Sequence, residues 1–139
     1  MKISRSLWQV GFLTLTLILL TGSTPYLAEF SVKEYNSFHD VLHPLQHEAL
    51  PAKDFQRIRS KGVELVKWGK AIVRVGVPKG TDQKNVEEFR RELRKFKSSL
   101  DKFAQHSRSG TDKQLEVSFS AVHDSFEMLA GMLPRKSSN

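Results

Sequence analysis

The chain has 139 residues, no cysteine and a formal net charge of +7. The missing cysteine excludes disulfides, zinc–thiolate and iron–sulfur sites, and the C-x-x-C-H attachment of c-type haem. The length is that of a single domain, so we take the elements below, in chain order, as parts of one fold.

Residues 1–28 have the pattern of an export signal. Lys2 and Arg5 make the start positive, and residues 10–20 contain only apolar residues, glycine and threonine. Residues 21–23 (TGS) then supply the small side chains that a cleavage site needs. The sequence therefore predicts that this segment directs the chain out of the cytoplasm.

Cleavage of that segment, which we expect between residues 23 and 28, would release a periplasmic or secreted protein. The alternative is a retained membrane anchor, because residues 7–28 carry no charge and are long enough to span a bilayer. The signal contains basic residues and no acidic one, so the rest of the chain stays basic. An exported protein rarely meets nucleic acid, and we expect this charge to attract a membrane surface, a cell-wall polymer or an envelope protein.

The first amphipathic segment opens at residues 31–34 (SVKE), which fit a capping box, and runs to about Leu50. Its apolar positions are Tyr35, Phe38, Leu42, Leu45 and Ala49. Pro44 interrupts this pattern, because proline lacks an N–H and clashes with the carbonyl four residues before it. Either Pro44 kinks one continuous helix, or the helix begins at Leu42 or His43 with Pro44 in its first turn.

The second segment is predicted to begin at Pro51, since a first helical residue needs no N–H. It ends at a loop over residues 76–80 (GVPKG). Gly62 and Gly69 fall within its apolar stripe, so a neighbouring helix is expected to approach closely there. The inward positions of this segment are Phe55, Ile58, Leu65, Val66 and Ile72.

The third and fourth segments have the clearest periodicity in the chain, with apolar residues alternately three and four apart. In the third, which follows residues 81–82, they are Val86, Phe89, Leu93, Phe96, Leu100 and Phe103. A loop at residues 107–110 leads to a capping box at residues 111–114 (TDKQ). In the fourth segment the apolar positions are Leu115, Phe119, Val122, Phe126, Leu129 and Leu133.

Four helices joined by short loops predict an all-α domain, namely an up-down-up-down antiparallel four-helix bundle after an N-terminal signal segment. We assign residues 29–134 to the bundle and residues 135–139 to a polar tail. A domain of this size buries enough apolar surface to be stable by itself. No convincing strand pattern competes with this interpretation.

Three of the five histidines form a ladder on the first segment, with His39, His43 and His47 each four residues apart. At 100° per residue, they lie about 80°, 120° and 160° from the centre of the apolar stripe, so we expect His47 in water. On the fourth segment, His123 lies about 80° and Glu127 about 120° from the stripe, in the same sense.

In an antiparallel bundle the first and last helices are neighbours, and equal rise per residue sets their histidines at one level. We therefore predict a metal site formed by His39, His43, His123 and Glu127. Imidazoles with one carboxylate suit Zn²⁺, Cu²⁺ or Ni²⁺. The site requires one handedness of the bundle. In the alternative interpretation, these histidines lie on a solvated flank and partner one another or nearby carboxylates.

An export signal followed by four short amphipathic helices resembles the cytochrome c′ and cytochrome b562 architecture. The c′ type carries a C-x-x-C-H motif, which this chain lacks, so covalent haem is excluded. The b562 type holds haem between a methionine of the first helix and a histidine of the last, and His123 matches only the second ligand. Residues 42–51 (LHPLQHEALP) and 122–129 (VHDSFEML) are also similar to segments of small uncharacterised exported bacterial proteins. That resemblance implies a family and no activity.

These observations predict a protein that is not an enzyme, since no glycine-rich phosphate loop and no nucleophile–base arrangement occurs. One interpretation is a periplasmic bundle that buffers, delivers or senses a transition metal. The other is an envelope accessory protein, chaperone- or stress-like, with no ligand of its own, scattered histidines and an exposed apolar or basic groove. Haem carriage is a third interpretation, and it needs an apolar slot beside His123.

Overall fold

The computed structural model describes residues 30–135. The signal segment predicted at residues 1–28 and residues 136–139 of the predicted tail lie outside this part of the chain. Between residues 30 and 135, no helix combines the length and the apolar character that crossing a membrane requires.

Every regular element in residues 30–135 is helical, so the prediction of an all-α domain with four helices is confirmed there. In chain order the elements are α1 (Lys33–Pro44), a π-helix (Leu45–Ala49), α2 (Phe55–Val75), a 3₁₀-helix (Gln83–Asn85), α3 (Val86–Ser109) and α4 (Asp112–Gly131). Helix α1 packs against α2, α2 against α3, and α3 most extensively against α4.

The core confirms the predicted apolar stripes. Every fully buried apolar side chain in residues 30–135 belongs to them. Five further members of the stripes are only half-buried, namely Phe55, Val66, Val86, Leu93 and Leu133. The periodicity of the sequence therefore locates the core, because each helix must bury one face to be stable.

The start of α4 follows the sequence signal closely. The Gln114 N–H donates to Thr111 Oγ1 at 3.2 Å, and the Thr111 N–H donates to Gln114 Oε1 at 2.9 Å. Two N–H groups that lack helical partners are thus satisfied, and the predicted capping box is confirmed.

The predicted starts of the first two helices are wrong. Helix α1 has Val32 at its N-cap, and an apolar side chain cannot accept a hydrogen bond, so the capping box predicted at residues 31–34 does not form. The Asn36 side chain bonds with the backbone of Phe30 just before the helix. Helix α2 begins at Phe55 and not at Pro51. Asp54 is its N-cap and accepts from the Arg57 N–H at 2.9 Å.

Pro44 lies inside the helical path of α1, where the π-helix begins. The alternative in which the helix starts at Leu42 or His43 is therefore wrong, because α1 already starts at Lys33. The Leu50 N–H donates to the Leu45 carbonyl at 2.9 Å, five residues back, as in a π-turn.

Helices α2 and α3 approach closely at the two glycines that the sequence singled out. A Cβ at Gly69 would lie 2.6 Å from Leu100 Cδ2, and one at Gly62 would lie 3.0 Å from Ser107 Cβ. Both distances are shorter than ordinary van der Waals contact, so a larger side chain would push α3 away. The prediction of close approach at these glycines is confirmed.

Candidate functional site

The three histidines of the first segment form a contiguous row on one side of α1 and the π-helix, which we call the histidine ladder. The ring centroids of His39 and His43 are 5.3 Å apart, and those of His43 and His47 are 4.4 Å apart. His47 is exposed, as predicted, while His39 and His43 are half-buried. The ladder therefore runs from the edge of the core into solvent.

The π-helix explains why the second pair is closer than the first. Residues four apart on an α-helix are offset by about 40° around the axis. The wider π-turn advances less per residue, so residues four apart stand more directly above one another. His47 lies in the π-helix, one turn beyond His43, and this pair is closer by almost one ångström. The π-helix ends this helical segment, since residues 50–53 form a turn.

His39 lies against the aromatic core. Its ring is 5.5 Å from the Phe30 ring and stacks on the Phe126 ring at 6.1 Å. Burial lowers the pKa of His39 below its usual value, and a positive charge on His43 lowers it further. Glu127 of α4 lies near enough to oppose this shift with its negative charge. A lowered pKa keeps the imidazole neutral at neutral pH, which is the form that binds a metal.

The third predicted ligand, His123, has its contact within its own helix. His123 Nδ1 lies 3.2 Å from Asp124 Oδ1, in the same helix, and its side chain is 24% exposed. Within residues 30–135, no group of three or more histidine, aspartate or glutamate side chains is placed to hold a metal ion. The structure thus brings His39 and His43 together, sets Glu127 near His39, and pairs His123 with Asp124.

His106 has a structural role that the sequence analysis did not predict. It lies near the end of α3, and its Nδ1 is 3.1 Å from the Gln114 carbonyl in the first turn of α4. Arg59 of α2 donates to the His106 carbonyl at 2.8 Å. The same guanidinium donates to the Gly110 carbonyl at 2.8 Å and to Asp112 at 2.9 Å. Together these bonds fasten the turn between α3 and α4 to α2.

A carboxylate of α3 is also buried beyond expectation. The Glu92 side chain is 6% exposed and accepts from Lys95 Nζ at 2.9 Å and from Arg91 Nε at 3.2 Å. These hydrogen bonds, that of Lys95 first, lower the pKa of Glu92 below its usual value. Lys95 lies three residues after Glu92 on the same helix, and this spacing is the signal in the sequence that indicates the pairing.

An open groove of about 410 Å³ between α2 and α3 is a second candidate binding site, which we call the α2–α3 groove. Val63 and Val66 line it on α2, and Ala104 lines it on α3. Lysine and arginine side chains surround these apolar residues. The groove was not located by sequence, because its residues come from two helices and share no motif.

No family model, curated protein or solved structure matches the chain.

Proposed function

We propose that this protein is an exported, non-enzymatic four-helix bundle that binds a divalent transition metal ion through its histidine ladder. The observation that carries the proposal is the spacing of neighbouring imidazole rings. With a metal–nitrogen distance of about 2.0–2.1 Å, each ring centroid lies about 3.2 Å from the ion. Two such rings are then about 4.5 Å apart at a right angle and about 5.2 Å apart at the tetrahedral angle.

The rings of the ladder have these separations. The centroids of His43 and His47 are 4.4 Å apart, and those of His39 and His43 are 5.3 Å apart. We propose His43 and His47 as the first pair of ligands, because His47 is exposed and gives the ion access. His39 and His43 form the alternative pair. His39 and His47 lie two helical turns apart and cannot reach one ion together. Glu127 contributes negative charge from α4. Water would complete the coordination.

The chemistry of these donors predicts a moderate and pH-dependent affinity. Imidazoles bind only when they are neutral, so metal binding competes with protons and weakens as the pH falls. Without thiolates the site favours Cu²⁺ over Ni²⁺ and Zn²⁺, following the general order of stability for divalent ions. Such a site suits buffering or delivery better than permanent structural binding.

For the arrangement of the helices, we propose the up-down-up-down topology. Two observations support it. Gly62 lies at Ser107 while Gly69 lies at Leu100, so positions rise along α2 as they fall along α3. His39 stacks on Phe126, at the level that equal rise per residue predicts for antiparallel α1 and α4.

The test is calorimetric titration of the purified protein with Cu²⁺, Ni²⁺ and Zn²⁺ at neutral pH, with three single variants. We expect one ion to bind with micromolar affinity and His43→Ala to abolish binding, because His43 belongs to both close pairs. His106→Ala is the matched control at a histidine outside the ladder and should bind normally. Normal binding by His43→Ala would refute the ladder.

His123→Ala distinguishes two versions of the site. If the ladder alone holds the ion, this variant binds like the wild type, because His123 is paired with Asp124. If His39, His43, His123 and Glu127 converge on the ion, binding is lost in both His43→Ala and His123→Ala. No binding by the wild type would refute both versions.

Export is tested separately. The chain is expressed with its own N-terminus, and the protein found outside the cytoplasm is purified. Its molecular mass is then measured by mass spectrometry. A mass that corresponds to cleavage between residues 23 and 28 is the expected result. An intact chain in the membrane fraction would instead support an anchor at residues 7–28.

A further inference from the structure

The α2–α3 groove lies beside the close approach of α2 to α3. Gly62 lines the groove, and a Cβ there would lie 3.0 Å from Ser107 Cβ. Beside this contact, Val63 is 82% exposed and Val66 is half-buried. An apolar side chain this exposed, set in a concave surface, is a usual sign of an interaction site.

The charges around the groove are all of one sign. Its charged lining residues are Lys67, Lys70 and Arg74 of α2 and Arg108 of α3, and none of them forms an ion pair within residues 30–135. On the adjoining surface, by contrast, Lys61 pairs with Glu64 at 2.9 Å and Lys97 pairs with Asp101 at 2.7 Å. The groove therefore holds a set of unneutralised cations beside an apolar floor.

We propose that the α2–α3 groove binds an acidic amphipathic helix of a partner protein, with its apolar face on Val63 and Val66 and its carboxylates toward the four cations. The lining residues of α2 extend from Gly62 to Arg74, which is about 18 Å at the rise of an α-helix. This length accommodates roughly three helical turns. Helices that lay an apolar face into a groove are a recurrent mode of recognition.

Other occupants fit these features less well. The parts of the chain outside the described residues carry Lys2, Arg5 and Lys136 against the single acidic Glu29, so they do not complement a basic groove. A bilayer surface is broad, whereas the apolar part of this groove is narrow and lies between two helices. The proposal is independent of the histidine ladder, since it shares no residue with it.

The test uses a synthetic three-turn peptide with leucines along one face and glutamates elsewhere, together with its glutamine counterpart. Binding to the full protein is followed by fluorescence anisotropy of the labelled peptide and by amide chemical shifts. We expect saturable binding of the glutamate peptide only, with shift changes centred on Val63, Val66 and Ala104. The affinity should fall as salt is added, because the interaction is between unpaired exposed charges.

The matched variants have equal changes in net charge. Lys67→Glu with Lys70→Glu should weaken binding at least about tenfold, as two charge contacts become repulsive. Lys33→Glu with Lys102→Glu alters two exposed lysines outside the groove and should leave binding within about twofold. Equal weakening in both variants, equal binding of the glutamine peptide, or no binding at millimolar peptide would overturn the proposal. So would tighter binding, at the same amides, of phosphatidylglycerol vesicles or of duplex DNA.

Discussion

The α3–α4 pair and helix α1 pack on the same core, but they differ in regularity. Helices α3 and α4 keep an uninterrupted apolar repeat, and α4 begins with a complete capping box. Helix α1 has no side-chain cap, contains Pro44 and continues as a π-helix. The two buried side-chain polar atoms without a partner in residues 30–135 also lie here, Tyr35 Oη in α1 and Gln46 Oε1 in the π-helix.

The histidine ladder lies on the irregular element. Local departures from good helix chemistry persist only where something else compensates for them, and they tend to mark functional sites. Here the π-turn, which weakens the helix, also brings His43 and His47 together. The candidate site thus lies on the irregular part of the chain, whereas the regular pair has an uninterrupted apolar repeat and a complete cap.

The largest effect is expected from a core truncation in the regular pair. Phe96 is fully buried and its ring packs edge-on against Phe38 at 5.4 Å. Phe96→Ala should lower the free energy of unfolding by about 3–5 kcal/mol, measured by urea denaturation. Val117→Ala is the control, because Val117 is exposed on α4 and its change should stay within about 0.5 kcal/mol. Similar values for the two variants would contradict the place of Phe96 in the core.

Replacing Pro44 should raise the free energy of unfolding, by less than the loss of Phe96 lowers it. Pro44→Ala restores an N–H that can bond to the carbonyl of Asp40, and alanine favours the helix interior more than proline does. We expect the free energy of unfolding to rise by about 1–2 kcal/mol, after allowing for the less restricted unfolded chain. If the π-turn becomes an α-turn, His43 and His47 separate, and Cu²⁺ binding measured by calorimetry should weaken. Unchanged stability and unchanged binding together would mean that Pro44 does not cause the irregularity.

The features that sequence analysis placed correctly depend on local spacing. The core positions of α3 and the capping box at Thr111 require only residues within a few turns of one another. The predicted start at Pro51 was wrong because residues 51–53 form a turn in which Lys53 has a φ of 56°. A positive φ at lysine has no sequence signal, since this conformation is disfavoured for residues with a Cβ.

The candidate site was harder to predict because it depends on phase and on contacts between distant helices. The predicted directions of the histidines rest on an α-helical turn of 100° per residue. Beyond Pro44 the chain forms a π-helix, in which each residue turns through a smaller angle. His47 was correctly expected in water, but its closeness to His43 was not expected. That His123 faces the ladder stays a prediction, and the helical spacing gives no indication of its local contact with Asp124.

Removing the unpaired Tyr35 hydroxyl should stabilise α1 without altering any histidine of the ladder. Tyr35 is fully buried, its hydroxyl has no partner, and burial raises the pKa of the phenol far above its usual value. Tyr35→Phe removes the unpaired hydroxyl and keeps the ring, so unfolding should cost about 1 kcal/mol more. Urea denaturation measures this change. A loss of stability would instead reveal a partner for the hydroxyl, such as a buried water.

The smallest effect concerns the pH dependence of α1. The pKa of His39 is lowered in the folded state, first by burial and then by the charge of His43, so the unfolded chain binds more protons near this pKa. The contribution of His39 to the free energy of unfolding is therefore complete above about pH 6.5, the ordinary pKa of histidine. It is lost as the pH falls toward the lower pKa that His39 has in the folded state. His47 adds to the shift, whereas Glu127 and Asp40 oppose it. Urea denaturation from pH 7 down to pH 5 should show a shallower decline for His39→Gln than for the wild type. A steeper decline in the variant would mean that the two carboxylates outweigh burial, and that His39 is held in its charged form.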